Sequence, residues 1–296
     1  MKAIIRVCLV ITAIIVIIAT GAFSIDFSSK KPVKYTKLPD DSRNVKIASR
    51  GSLDTMSSVQ SRKESDLDLD ISIMTYNIHR GINKKGKHDL DSIREVLENS
   101  GADIIALQEV ERNSIRTMFK DQVKFLADKL SMYYAYGKSL SILNGQYGNA
   151  VLSRYPIEEY EVIQLPYKDE RRTVLKASIA VGDYKLAVFN THLGLSNSER
   201  DEQLVILREI IKNESMPFLL MGDFNTNLED LNVFEGIARD SAGFTNVKPD
   251  NTFESEELNA RIDYIFVSEG IVPHDYQTIK SDASDHYPVI CKINIK

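Results

Sequence analysis

Apolar runs in this chain repeatedly stop at an acid, an amide or a histidine. Met74-Thr75-Tyr76 runs into Asn77, and Ile104-Ile105-Ala106-Leu107-Gln108 runs into Glu109. Ala187-Val188-Phe189-Asn190-Thr191 runs into His192, and Leu219-Leu220-Met221-Gly222 into Asp223-Phe224-Asn225. Arg261-Ile262 leads to Asp263-Tyr264, and Ser284 to Asp285-His286. A desolvated carboxylate needs a counter-charge or hydrogen-bond donors. One such residue would be ordinary, as a turn amide, a cap or a satisfied core histidine. Several at strand ends predict one shared polar site on the edges of sheets, where loops carry function.

The periodicity around these runs predicts strands interleaved with helices. Residues 71–76, 103–107, 149–152, 174–179, 185–190, 218–221, 262–267 and 289–295 read as strands. Val181-Gly182-Asp183-Tyr184 reads as a hairpin turn. Leu90, Ile93, Val96 and Leu97 have helical spacing, with Gly101 as the stop, and Phe119, Val123, Leu126 and Leu130 mark a second helix. Ser196 and Glu199 make a capping-box pattern that opens a third helix, with Leu204, Leu207, Ile210 and Ile211 on one face. Helices and hairpins together predict stacked sheets flanked by helices rather than one parallel sheet.

The N-terminus is of a different character. Lys2 and Arg6 precede residues 7–25, nineteen positions without a charge. That length suits a membrane-spanning helix, and Ala22-Phe23-Ser24 offers the rival reading of a cleaved signal. Residues 1–25 are therefore expected to be a transmembrane anchor or signal segment. Residues 26–68 are expected to be a polar linker, and residues 69–296 the domain that carries the shared polar site. Lys30, Lys31, Lys34 and Lys37 compete with Lys2 and Arg6 over orientation. A short basic start before an apolar run favours a domain outside the cytoplasm, anchored or, after cleavage, secreted.

Charge and cysteine content narrow the chemistry. The net charge is −5, but from Leu69 onward 26 Lys and Arg face 35 Asp and Glu, a balance of −9. The domain thus lacks a broad positive field for collecting nucleic acid, although a bound metal can supply positive charge locally. The two cysteines, Cys8 and Cys291, offer neither a disulfide framework nor a thiolate metal site. Asp, Glu, Asn and His at strand ends match what phosphoryl transfer needs: a hard cation, a positioned water and donors around the phosphoryl oxygens. Hard oxygen donors favour Mg²⁺ or Mn²⁺ over zinc.

Seven segments carry a resemblance: Thr75-Tyr76-Asn77, Ala106-Leu107-Gln108-Glu109-Val110, Gly148-Asn149-Ala150-Val151-Leu152-Ser153-Arg154, Asn190-Thr191-His192-Leu193-Gly194, Gly222-Asp223-Phe224-Asn225, Arg261-Ile262-Asp263-Tyr264-Ile265-Phe266 and Ser284-Asp285-His286-Tyr287-Pro288-Val289. In this order they resemble the endonuclease/exonuclease/phosphatase superfamily of metal-dependent phosphoesterases. The resemblance implies a four-layer α/β sandwich, two packed mixed sheets with helices outside and the site at one end. It implies that Glu109 binds the metal, with Asn77 and Asp285 completing or supporting its shell. By the same resemblance Asp223 orients or deprotonates the attacking water, and Asn225 contacts the phosphoryl group. His192 and His286 would stabilise the transition state or protonate the leaving oxygen, with Asp263 pairing to His286. Arg172 and Asn149 are candidates for substrate contact. One position departs from the abasic-site endonucleases: His79 stands where they carry an acid. His79-Arg80-Gly81 is read either as facing a substrate phosphate or, for Arg80, as a solvated loop charge.

The expected reaction is in-line attack of water on a phosphodiester. The anchor, the acidic domain and the lack of Trp for base stacking favour a lipid or small headgroup substrate. An exported nuclease is the rival, with 13 tyrosines as stacking surfaces. A small soluble phosphomonoester and a non-catalytic tethered module are the remaining readings. No obligate protein partner is expected.

Overall fold

The computed structural model describes residues 34–35, 70–142, 144–244, 248–255 and 258–295. The apolar N-terminal segment and nearly all of the stretch read as a linker lie outside the described residues. Lys34–Tyr35, inside that stretch, instead forms a short strand, β1. In chain order there follow β2 (Asp70–Asn77), α1 (Leu90–Ser100), β3 (Ile104–Arg112), α2 (Gln122–Leu130), β4 (Tyr133–Ile142), β5 (Gly145–Ser153) and β6 (Ile157–Gln164). Then come β7 (Thr173–Val181), β8 (Tyr184–His192), α3 (Asn197–Lys212), β9 (Phe218–Asp223) and β10 (Ala238–Asp240). A small hairpin, β11 (Phe253–Glu254) with β12 (Asn259–Ala260), precedes β13 (Asp263–Ser268), β14 (Ile271–Thr278) and β15 (Val289–Ile295).

The strands build two mixed sheets. One runs β14-β15-β2-β3-β5-β4 and the other β1-β6-β7-β8-β9-β13-β10. Period-2 alternation explains why the strands read as nearly continuous apolar runs: both faces are covered. In β2, Ile71 and Ile73 pack between the sheets, while Met74 and Tyr76 pack beneath α1 and α2 with Leu90, Ile93, Val123 and Leu126. In β8, Leu186 and Val188 face the other sheet, while Ala187 and Phe189 lie under Leu204, Leu207 and Ile211 of α3. The result is a four-layer α/β/β/α sandwich. Each fully buried Leu, Ile or Phe contributes about 1.5–3 kcal/mol.

Two sequence expectations fail locally. Phe119 is not in α2, which starts at Gln122 behind the Asp121 cap; Phe119 is 62% exposed with φ 59°. The Ser196–Glu199 capping box does not form, because the Ser196 side chain makes no cap bond. Glu199 is buried and accepts from Gln203 Nε2 at 3.3 Å instead.

Topology places the site. β2 and β3 are parallel neighbours joined through α1, and β8 and β9 are parallel neighbours joined through α3. Such pairs end at the same edge, so Asn77 and Glu109 from one sheet and His192 and Asp223 from the other come to one rim. Gly222 sets the β8–β9 approach: a Cβ there would sit 2.0 Å from the Thr191 carbonyl oxygen, and φ is +153°. Gly222→Ala is expected to cost about 3 kcal/mol, the upper end for overpacking. Denaturant unfolding checks this, and an unchanged midpoint would refute it.

Candidate active site

Four of the polar residues are delivered by strand ends. Asn77, His192 and Asp223 are the last residues of β2, β8 and β9, and Asp263 opens β13 directly opposite Asp223. Glu109 lies inside β3, at a register shift between Leu107 and Val110, with φ 57°. This bulge re-aims its carboxylate out of the pleat. His286 comes from the loop before β15. The Phe253 ring of the small hairpin lies 4.9 Å from its imidazole and holds it from one side.

The hydrogen bonds converge on Asp223. Asn77 Nδ2 donates to Asp223 Oδ2 at 3.0 Å and to Glu109 Oε1 at 3.4 Å, joining the two carboxylates through one amide. The backbone N–H of His79 holds Asn77 Oδ1 at 3.0 Å, which fixes the amide that way round. His192 Nε2 and His286 Nε2 lie 3.4 and 3.7 Å from Asp223 Oδ2. His286 Nδ1 and Asp263 Oδ2 are 2.9 Å apart. Asn225 donates its amide to the Leu193 carbonyl at 2.9 Å, and its own N–H donates to Asp223 Oδ1 at 3.0 Å. Asn225 thereby joins the loops after β8 and β9.

The two histidines are driven to opposite charge states. Burial, then Arg172 and His286, press His192 well below the usual imidazole value. Burial acts the same way on His286, but Asp263 and Asp223 overcome it and raise its pKa to about 10. Burial, followed by the Asp263 charge, raises Asp223 to about 7. At neutral pH the site therefore offers a neutral imidazole, an imidazolium and a carboxylate poised to take a proton, which is the separation acid–base chemistry requires.

Asp285 is less central. Its side chain is 35% exposed and lies 3.4 Å from His79 Nδ1. His79 Nε2 is 2.7 Å from an Arg80 nitrogen, and Arg80 Nε is 3.9 Å from Glu109 Oε2. His79 and Arg80 thus run from Asp285 to Glu109, so Arg80 faces the site and is not merely solvated. Arg172 is buried beside His192; its Nη1 lies 3.3 Å from Glu170 Oε1, and its Nε has no hydrogen-bond partner among the described residues. A buried guanidinium short of acceptors fits an anionic ligand. Asn149 donates to the Thr173 carbonyl at 3.1 Å, supporting the strand next to Arg172.

Two groupings could receive a hard cation. Asp223, Asp263 and His286 offer atoms within 4.8 Å of one another. There, however, His286 Nδ1 is already engaged by Asp263. Glu109, linked to Asp223 through the neutral Asn77 amide and approached by Arg80 at 3.9 Å, forms with Asp223 the second carboxylate set, one that a divalent ion would fit.

Several supporting residues were not singled out from sequence. Gln108 Nε2 donates to Asn190 Oδ1 at 2.7 Å and to Thr75 Oγ1 at 3.1 Å. Asn190 in turn donates to the carbonyls of Leu107 and Ala150, tying the two sheets together beneath the site. Ser284 Oγ is 2.8 Å from the Asn77 carbonyl oxygen, and Thr252 Oγ1 accepts from the N–H groups of Ile262 and Asp263. Gln108 and Asn190 are polar residues inside apolar runs, a readable signal; Thr252 has none.

Known proteins share this fold. Residues 74–286 match the model of the Endonuclease/Exonuclease/phosphatase family. The uncharacterized protein YbhP of Escherichia coli K12 is 34% identical in an alignment of 166 positions that covers 52% of this chain and 66% of that protein's length. An endonuclease/exonuclease/phosphatase from Beutenbergia cavernae superposes with a TM-score of 0.66 at 22% identity, over 76% of this chain and 72% of that one. Truncated Caenorhabditis elegans TDP2 superposes with a TM-score of 0.59 at 22% identity, over 76% and 97%. The chain belongs to the endonuclease/exonuclease/phosphatase family, whose members generally hydrolyse phosphoester bonds with the help of a divalent metal.

Proposed function

We propose that this protein is a Mg²⁺- or Mn²⁺-dependent phosphodiesterase that acts on a lipid or other small headgroup phosphodiester by direct attack of water. The observation that carries it is Asp223, a buried carboxylate with a neutral and a cationic histidine on either side. Asp223 takes the proton from the attacking water. The imidazolium of His286 donates from Nε2 to the phosphoryl or leaving oxygen, and Asp263 holds its ring and charge. His192 donates as a neutral imidazole. Arg172 binds a non-bridging phosphate oxygen, and the Asn225 amide braces the loop carrying Asp223. Glu109, Asp285 and the Asn77 support would hold the ion, which supplies Lewis-acid neutralisation of the developing charge.

The lipid reading draws on residues 7–25 as a membrane anchor, with the domain outside the cytoplasm, or secreted if that segment is cleaved. Among the described residues no helix is long and apolar enough to cross a membrane. An exported nuclease is the competing reading, since the buried Arg172 would bind a nucleic-acid phosphate as readily as a headgroup phosphate.

The test uses the purified full chain with Mg²⁺, Mn²⁺ or Ca²⁺ against plasmid DNA, RNA, sphingomyelin, phosphatidylinositol and bis-p-nitrophenyl phosphate. Metal-dependent release from the lipids is the expected result; preference for nucleic acid would reverse the substrate assignment. Metal binding is checked separately by thermal shift. A hundredfold excess over Kd should stabilise the native chain by about 2.7 kcal/mol, and Glu109→Gln should abolish most of that gain. An equal shift in both chains would remove Glu109 from the metal shell.

A further inference from the structure

Three large apolar side chains stand in water within five residues: Ile115 is 56% exposed, Met118 77% and Phe119 62%. Single exposed hydrophobics are common, but a concentration of this kind marks an interaction surface. The segment is not a loose loop. Asn113 N–H donates to the Lys120 carbonyl and Phe119 N–H to the Ser114 carbonyl, at 3.1 and 2.8 Å. Gly145 packs so closely against Ser114 that a Cβ there would lie 2.4 Å from its Cα. The backbone therefore holds Met118 and Phe119 outward, both at positive φ.

The tip adjoins the catalytic rim. It follows β3, the strand carrying Glu109, and Arg116 pairs back with the buried Glu111 of that strand. Glu170 lies within electrostatic reach of Arg172, Glu109 and Arg116 alike, so the loop and the substrate-side arginine share one neighbour. Lys120 lies over the Phe125 ring at 4.0 Å with no ion pair among the described residues. Leu195, 74% exposed, stands on the loop after His192. The apolar tip thus stands beside a lysine to which a lipid phosphate would pair.

We propose that the 115–119 loop is a membrane-seating element: Ile115, Met118 and Phe119 enter the headgroup region of an anionic bilayer while Lys120 meets its phosphates. Insertion of an apolar tip next to basic residues is the chemistry of interfacial binding. Ile115 and Met118 do not stack on bases, which leaves Phe119 as the sole aromatic of the tip and argues against a nucleic-acid platform. The inference deepens the lipid-phosphodiester reading and rests on it, since seating the rim on the bilayer would bring headgroups to Arg172 and Asp223.

The chain contains no Trp, so Phe119→Trp installs a single fluorophore at an exposed position. The full-length Phe119→Trp chain is mixed with vesicles of anionic phospholipid, with and without brominated acyl chains. Any recruitment by the N-terminus leaves a Trp in water unquenched, so the signal reads the depth of the loop. A shift of emission to shorter wavelength and quenching by the brominated lipid are expected. Adding Ile115→Ser and Met118→Ser should abolish both and lower hydrolysis of vesicle phosphodiester about tenfold, with bis-p-nitrophenyl phosphate hydrolysis unchanged. Emission unmoved by vesicles overturns the proposal, as does a shift produced by plasmid DNA or by protein concentration alone. Quenching is read without turnover, so a failed phosphodiesterase reading shows up in the hydrolysis assay and not here.

Discussion

An Asp223→Asn chain is expected to hydrolyse phosphodiesters at least about 10²-fold more slowly than the native chain, yet to melt at a higher temperature. The loss of rate follows from removing the one carboxylate that both histidines and the Asn77 amide address. The gain in stability follows from what burial does to that carboxylate. Its folded pKa is raised to about 7 by burial and by the Asp263 charge. A raised folded value means the group favours the fold at low pH and loses that favour as pH rises from about 4 through 7. Above that window the ionised side chain is a net cost on the order of a few kcal/mol, and Asn carries no charge to desolvate. Each kcal/mol recovered should raise Tm by about 2–4 °C. Melting in EDTA at about pH 8 reads the gain, which should shrink towards about pH 4 as native Asp223 takes up its proton. A less stable Asp223→Asn chain with full turnover would show that the carboxylate is structural.

The strand ends and the layers were legible in the sequence because both are written in local pattern. Ile71 and Ile73 against Met74 and Tyr76 spell out a strand covered on both faces, and the polar terminus after each such run marks the rim. What escaped depends on contacts between distant segments. Glu109 reaches the site through a bulge with a left-handed backbone, and nothing in Gln108-Glu109-Val110 announces that conformation. Phe119 has helical spacing to Val123, but the Asp121 cap and the turn at Ile115–Thr117 take the chain elsewhere. Glu199 fits a capping box by spacing, yet its carboxylate lies next to Gly194 and accepts from Gln203, a tertiary contact that outbids the local one. Asn149 and Arg172 were both read as substrate contacts. The structure separates them, giving the amide a backbone partner, while the guanidinium faces Glu170 at 3.3 Å and keeps an Nε without a hydrogen-bond partner among the described residues.

His286→Ala should reduce turnover by about 10²–10³-fold, and Asp263→Asn should reveal why by moving the pH profile. In the native chain burial disfavours the His286 imidazolium, while Asp263 at 2.9 Å and Asp223 at 3.7 Å more than compensate and hold its pKa near 10. The cationic donor is then present across neutral pH and is lost only as pH rises through that value. Asp263→Asn keeps the shape of the pair but removes the nearer charge, so burial gains ground and the proton leaves at lower pH. The alkaline limb of kcat should shift downward, with the deficit small at about pH 6 and large at about pH 9. His192, already neutral because burial and Arg172 disfavour its charge, should give no such limb when replaced by Ala. If Asp263→Asn lowers kcat equally at every pH, Asp263 orients the ring without sustaining its charge. If it changes nothing, His286 is not the acid of this site.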